Sequence, residues 1–219
     1  MPASSRDGAI FASGIAAAVL VNYWVAGPLL GVDHDPGFSW ISDFAARGED
    51  GNWRFALLDG LSGAAVIAFG ALLWPELGRL RGSGAAAVRW GLVLLIVSGA
   101  LAIADAFLPM SCGRSLGTDC VRADDLVDEL HRIESTLAVL VTGGAMLLIG
   151  LGLWRSGRGR AIAWISLAAG VVFLALNLLI GLRESVDAFN EAKGWFQRGG
   201  QVVLGAWLVA LASARTKVE

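Results

Sequence analysis

The chain has 219 residues and a formal net charge of −2, with 56% hydrophobic residues, 16% charged residues and a mean hydropathy of +0.64. A soluble domain carries nearer a quarter charged residues, so composition places this protein in a membrane. It also argues against a nucleic-acid binder, which needs a basic face, and against a soluble cofactor enzyme, since no phosphate-cradling glycine loop follows a strand.

Six apolar runs fill the chain, at approximately 10–31, 55–78, 88–109, 131–154, 161–182 and 196–214. Each has about twenty residues, which at about 1.5 Å per residue matches the roughly 30 Å hydrocarbon core. Strands are excluded because the runs are too long and lack two-residue alternation, and because backbone in lipid must satisfy its own hydrogen bonds. The predicted fold is all-α: a polytopic membrane protein, one domain over residues 1–219, built as a bundle of six transmembrane helices.

The first run, Ile10 to Gly31, follows Arg6, so a cleaved signal peptide is the alternative to a span. Its length exceeds a usual signal core and it shows no small-residue cleavage site, which favours the span. The loop after it holds Asp33, His34, Ser42 and Asp43. Asp59 lies about one turn into the second run and Asp105 one turn before the end of the third. Between the third and fourth runs fall the two cysteines of the chain, Cys112 and Cys120, separated by a short glycine-containing loop. That spacing suits a disulfide, and a disulfide belongs outside the cytosol; two unpaired thiols are the alternative.

The fourth run opens with His131, Glu134 and Ser135, whose i, i+3 and i, i+4 spacing puts them on one helical face. Asn177 and Arg183 lie at the end of the fifth run, and Arg198 and Gln201 at the start of the sixth. In an up-and-down bundle all of these polar groups fall at one end. A charge in lipid costs at least about 2.5 kcal/mol, so they should face one another or a wet cavity. Two readings compete: Asp59, Asp105, Arg183 and Arg198 as ion pairs that lock helix ends, or a site in which His131 works beside carboxylates and a hydroxyl.

The other end carries Arg79, Arg81 and Arg89, then Arg155, Arg158 and Arg160, with Arg215 and Lys217 in the tail. Short basic connections lie in the cytoplasm, so both termini are expected there and the acidic end outside, in a cell (inner) membrane. Glycines such as Gly60 and Gly63, Gly143 and Gly144, or Gly199, Gly200 and Gly205 let helices approach closely. The nine tryptophans, mostly near span ends, read as an aromatic belt.

The stretch Pro36-Gly-Phe-Ser-Trp-Ile-Ser-Asp-Phe-Ala-Ala-Arg-Gly-Glu, Asp59, and the run from Cys112 through Cys120 to His131 and Ser135 resemble the bacterial six-helix membrane family catalogued as domain of unknown function number 998. The resemblance covers essentially the whole chain. It implies six spans and a polar outer pocket built from the first loop and the fourth span, and brings no activity with it. A weaker likeness is to intramembrane hydrolases related to alkaline ceramidases, which hold zinc with three histidines. Only His34 and His131 are present here, so zinc would need both and a carboxylate such as Asp33, Asp43, Asp59 or Asp105.

Two functions follow as expectations. In one, an outer pocket formed by Ser42, Asp43, Asp59, Asp105, His131, Glu134, Arg183 and Arg198 binds a lipid or small amphipathic molecule. In the other, the protein is an intramembrane hydrolase of a lipid-like substrate, metal-dependent or not. Its catalytic residues are then drawn from His131, Asp59, Asp105 and Asp43, with Ser135 or Ser42 as nucleophile. Membrane lipids are the expected partners. No cofactor is identified by the sequence.

Overall fold

The computed structural model describes residues 5–31, 35–49, 51–111, 126–181 and 191–214. Among these there is no strand. Six α-helices form the frame: α1 Ser5–Leu20, α2 Asn52–Leu77, α3 Ala85–Asp105, α4 Leu126–Ser156, α5 Arg160–Gly181 and α6 Lys193–Ala214. Two 3₁₀ segments, Tyr23–Leu30 and Ser42–Ala45, lie between α1 and α2. Each helix packs on its successor, and α6 returns to α1, which closes a ring in chain order.

By length and composition α2, α3, α4 and α5 can each cross a membrane, and α1 with the following 3₁₀ segment makes a fifth candidate. The helix α6 is as long as α5 but carries Lys193, Gln197, Arg198 and Gln201 in its first turns. The interior is apolar, with Phe69, Leu73, Leu92, Leu95, Met146 and Leu208 fully buried. The outer faces are apolar as well: Leu29, Leu140, Val171 and Leu178 are exposed. Helices that are hydrophobic all round and still present apolar side chains outward are suited to lipid, not water.

The first run departs from the unbroken span expected over 10–31. It bends by 51° between Leu20 and Tyr23. Asn22 sits at the bend: its side-chain amide donates to the Ala18 carbonyl at 2.9 Å and to the Gln201 carbonyl at 3.2 Å, which pins the end of α1 to α6. Such side-chain competition for backbone carbonyls ends helices, and Pro28, lacking an N–H, keeps the next segment from regaining an α-helical ladder.

Close approach through glycine is real but selective. Gly63 of α2 and Gly99 of α3 face each other so tightly that a Cβ on either would collide with the other's carbonyl oxygen. Gly143 and Gly205 are similarly enclosed, whereas Gly60 has only the Ala106 methyl at 3.9 Å. Trp53, Trp90, Trp154, Trp164 and Trp195 are exposed near helix ends, as a belt requires. Trp207 is not part of it: the ring is buried in the bundle and its indole N–H donates to Ser166 Oγ at 2.9 Å.

The alternation of helices sorts the chain into two ends. At one, the α2–α3 and α4–α5 connections meet, with Ser83 Oγ donating to the Arg155 carbonyl at 3.0 Å. At the other end come the close of α3, the start of α4, the start of α6 and the segment 35–49.

Candidate functional site

The segment 35–49 is held down by α6. Gly194 N–H donates to the Gly37 carbonyl at 2.7 Å, and Ile41 N–H donates to Gln197 Oε1 at 2.8 Å. The main fastener is Arg198, 3% exposed, whose guanidinium donates to the carbonyls of Pro36 and Ser39, each at 2.7 Å, and to Ser39 Oγ at 3.1 Å. It lies 5.5 Å from the Trp24 ring centre and 5.8 Å from that of Phe44, so aromatic faces cover the charge that the carbonyls do not. Asp43 is fully buried in the same place, accepts from Trp40 N–H at 2.8 Å and faces the Arg198 cation. Lys193, one turn earlier, sits 3.8 Å from the Phe38 ring centre. Arg47 N–H donates to the Met110 carbonyl at 2.9 Å, which joins this segment to the end of α3.

A second polar unit lies across the ends of α2, α3 and α4. His131 Nδ1 is 2.8 Å from Asp105 Oδ1 and 3.0 Å from the Leu108 carbonyl. One N–H cannot point squarely at both, so the ring nitrogen is shared between the Asp105 carboxyl and the Leu108 carbonyl. Glu134, one turn along α4 and 7% exposed, brings its carboxyl to the same spot, and Asp105, His131 and Glu134 each offer a ligand-type atom within 4.8 Å of the others. Among the described residues Glu134 Oε1 is buried without a geometrically good hydrogen bond, although the Asp105 carboxyl lies beside the group, and Ser135 Oγ reaches Oε2 at a long 3.4 Å. Asp59 stands behind, within electrostatic reach of Asp105 and His131, and takes the hydroxyl of Tyr23.

A cavity of about 760 Å³ opens beside this cluster, between α4 and α5. Its polar end is lined by Ser42, Asp128, His131, Ser135, Asn177 and Gln197. Farther along, Val139, Leu140, Leu174 and Leu178 make it apolar. Asp128 is also a fastener, accepting from Ser111 N–H at 2.7 Å and Ser111 Oγ at 2.5 Å, which fixes the start of α4 to the end of the α3 connection.

The residues singled out from sequence therefore divide. Asp59, Asp105, His131 and Glu134 come together, with Ser135 and Ser42 on the cavity wall. Asp43 and Arg198 form the separate clamp on segment 35–49 and do not line the cavity. His34, Cys112, Cys120 and Arg183 lie outside the described residues. Sequence reasoning did not single out Tyr23, Lys193, Gln197 or Asp128. Tyr23 had a signal, as the one tyrosine in the chain at the end of an apolar run; the others look like ordinary helix-start residues until the loops are in place.

The family model described as Protein of unknown function (DUF998) matches residues 12–214. No curated protein matches, and no solved structure does. The matched range takes in α2 to α6 whole, α1 from residue 12 onward and both polar units, and the protein belongs to the DUF998 family.

Proposed function

We propose that this membrane protein binds a lipid or small amphipathic molecule in the cavity between α4 and α5. The observation that carries the reading is the cavity's own polarity: hydrogen-bonding groups at the helix ends and a leucine-lined groove running down the bundle. A headgroup would be met by Asn177, Gln197, Ser42 and Ser135, and an acyl chain by Leu140, Leu174 and Leu178. Cavities of a few hundred cubic ångströms with few polar groups and an apolar wall are the usual form of a small-molecule site.

Ala175 lies on the wall and a tryptophan there fills the groove. In native mass spectrometry of protein transferred from nanodiscs of phosphatidylglycerol and phosphatidylethanolamine, the unmodified chain should retain one lipid, and Ala175→Trp should retain at least about tenfold less. Equal retention by both would remove the basis for the reading. A second reading, hydrolysis of a lipid-like substrate, is favoured by one contact: Ser135 Oγ reaches Glu134 Oε2 at 3.4 Å, one turn from His131 on the same wall. Release of fatty acid by the same preparations, abolished by Ser135→Ala, separates an enzyme from a binder.

The acidic end is read as the outer one and both termini as cytoplasmic, supported by the basic residues at the end where Ser83 meets Arg155. A Cys112–Cys120 disulfide belongs to the same proposal. With an impermeant maleimide added to whole cells, a cysteine at Arg47 should label and one at Ser83 should not, while the native cysteines react only after reduction. The reverse pattern would invert the topology.

A further inference from the structure

We propose that Asp105, His131 and Glu134 form a binding site for one divalent transition-metal cation of the zinc or manganese class. Two helices supply the ligands: Asp105 is the last residue of α3, and His131 with Glu134 lie one turn apart at the start of α4. Their three ligand-type atoms already lie within 4.8 Å of one another. A cation bonded to nitrogen and oxygen at about 2.0–2.2 Å holds neighbouring ligands about 3.4 Å apart. Closing the cluster therefore takes little more than about 1 Å of side-chain rotation.

The independent observation is Glu134. It is 7% exposed, among the described residues its Oε1 finds no N–H or hydroxyl donor, and it is turned towards two other ligand-type groups, one of them the Asp105 carboxyl. A buried carboxylate oxygen left unmet is costly, and its neighbourhood makes this worse. Asp59 and Asp105 add two further carboxyls, and among the described residues the cationic group within 4 Å of Asp105 is the His131 ring. Arg198 is spent on the Pro36 and Ser39 carbonyls and Arg132 on Glu129. A divalent cation would supply the partner and the charge that the described residues do not.

The donor set selects the class. One imidazole and two carboxylates suit zinc, manganese or iron(II), whereas calcium and magnesium want six or more oxygens. His131 Nδ1 would exchange its contact with the Leu108 carbonyl for the cation, and Tyr23 on Asp59 holds the carboxyl that stands behind the ligands. Three protein ligands leave a coordination position, and His131 also lines the cavity, so a bound cation would present that position near whatever occupies the cavity.

The test is calorimetric titration of untagged, chelator-washed protein in detergent with ZnCl₂ and, separately, MnCl₂, with no lipid added. It therefore stands or falls apart from the lipid reading. One cation should bind per chain. The isosteric changes Asp105→Asn and Glu134→Gln, which keep the shape of the site, should each weaken binding by more than about tenfold, and His131→Ala by more. Glu76→Gln, at the other end of the bundle, should leave it unchanged. Titration with cobalt(II) should give a visible absorption band that Glu134→Gln alters. Absence of binding with both metals, or equal binding by Glu134→Gln, overturns the site; three groups sharing a proton would then account for the cluster.

Discussion

Replacing Arg198 with leucine is expected to destabilise the protein by about 3–5 kcal/mol, the usual result of removing one partner from a buried charge network. The Pro36 and Ser39 carbonyls each lose a donor at 2.7 Å, and Asp43, fully buried, loses the cation it faces. The apparent melting temperature of the purified protein in detergent should fall on the order of 10 °C. Arg198→Lys should recover only part of this. A lysine ammonium has donors enough for both carbonyls, but it lacks the second nitrogen that reaches Ser39 Oγ and the planar cation that lies beside Trp24 and Phe44. A leucine variant that melts within a few degrees of the parent would show that segment 35–49 is held by something else.

The second large effect concerns the α2–α3 seam. A leucine at Gly63 must push its Cβ into the Gly99 carbonyl, which is backbone and cannot rotate aside, so the two helices have to separate along their length. Overpacking costs about 1–3 kcal/mol where side chains can yield, and this site belongs at or above the top of that range. The variant should elute from size exclusion as a broadened or aggregated species. Gly60→Ala is the matched comparison, three residues earlier on the same helix, where the nearest atom is 3.9 Å away. It should be neutral or slightly stabilising, because alanine is the better helix former by about 1 kcal/mol. Similar behaviour of the two variants would mean that the seam is not a close backbone contact.

The class of this protein was readable from local sequence alone. Long apolar runs can be satisfied in lipid only by helices, so hydropathy and length dictate a multi-pass helical fold without any knowledge of contacts. The shared face of His131 and Glu134 was equally legible, since it follows from helical spacing within one element. The two ends of the bundle, one basic and one acidic, come from the order of the connections in an up-and-down chain.

What the sequence could not settle is which polar groups meet. Asp43, Asp59, Asp105 and Arg198 read equally well as one constellation, yet the folded chain makes two. Arg198 turns to carbonyls 159 and 162 residues away, and Asp105 meets His131 across a helix boundary. Backbone carbonyls carry no sequence signal, because every residue has one. Only the docking of segment 35–49 on α6 decides that those of Pro36 and Ser39 capture the arginine. The bend after Leu20 has the same origin: Asn22 looks like an isolated polar residue in an apolar run, and its hold on the Gln201 carbonyl exists only because α6 closes the ring against α1. Hydropathy is a property of each segment by itself. Hydrogen-bond partners between segments are chosen by packing, and that choice separated the Arg198 clamp from the cluster of Asp105, His131 and Glu134.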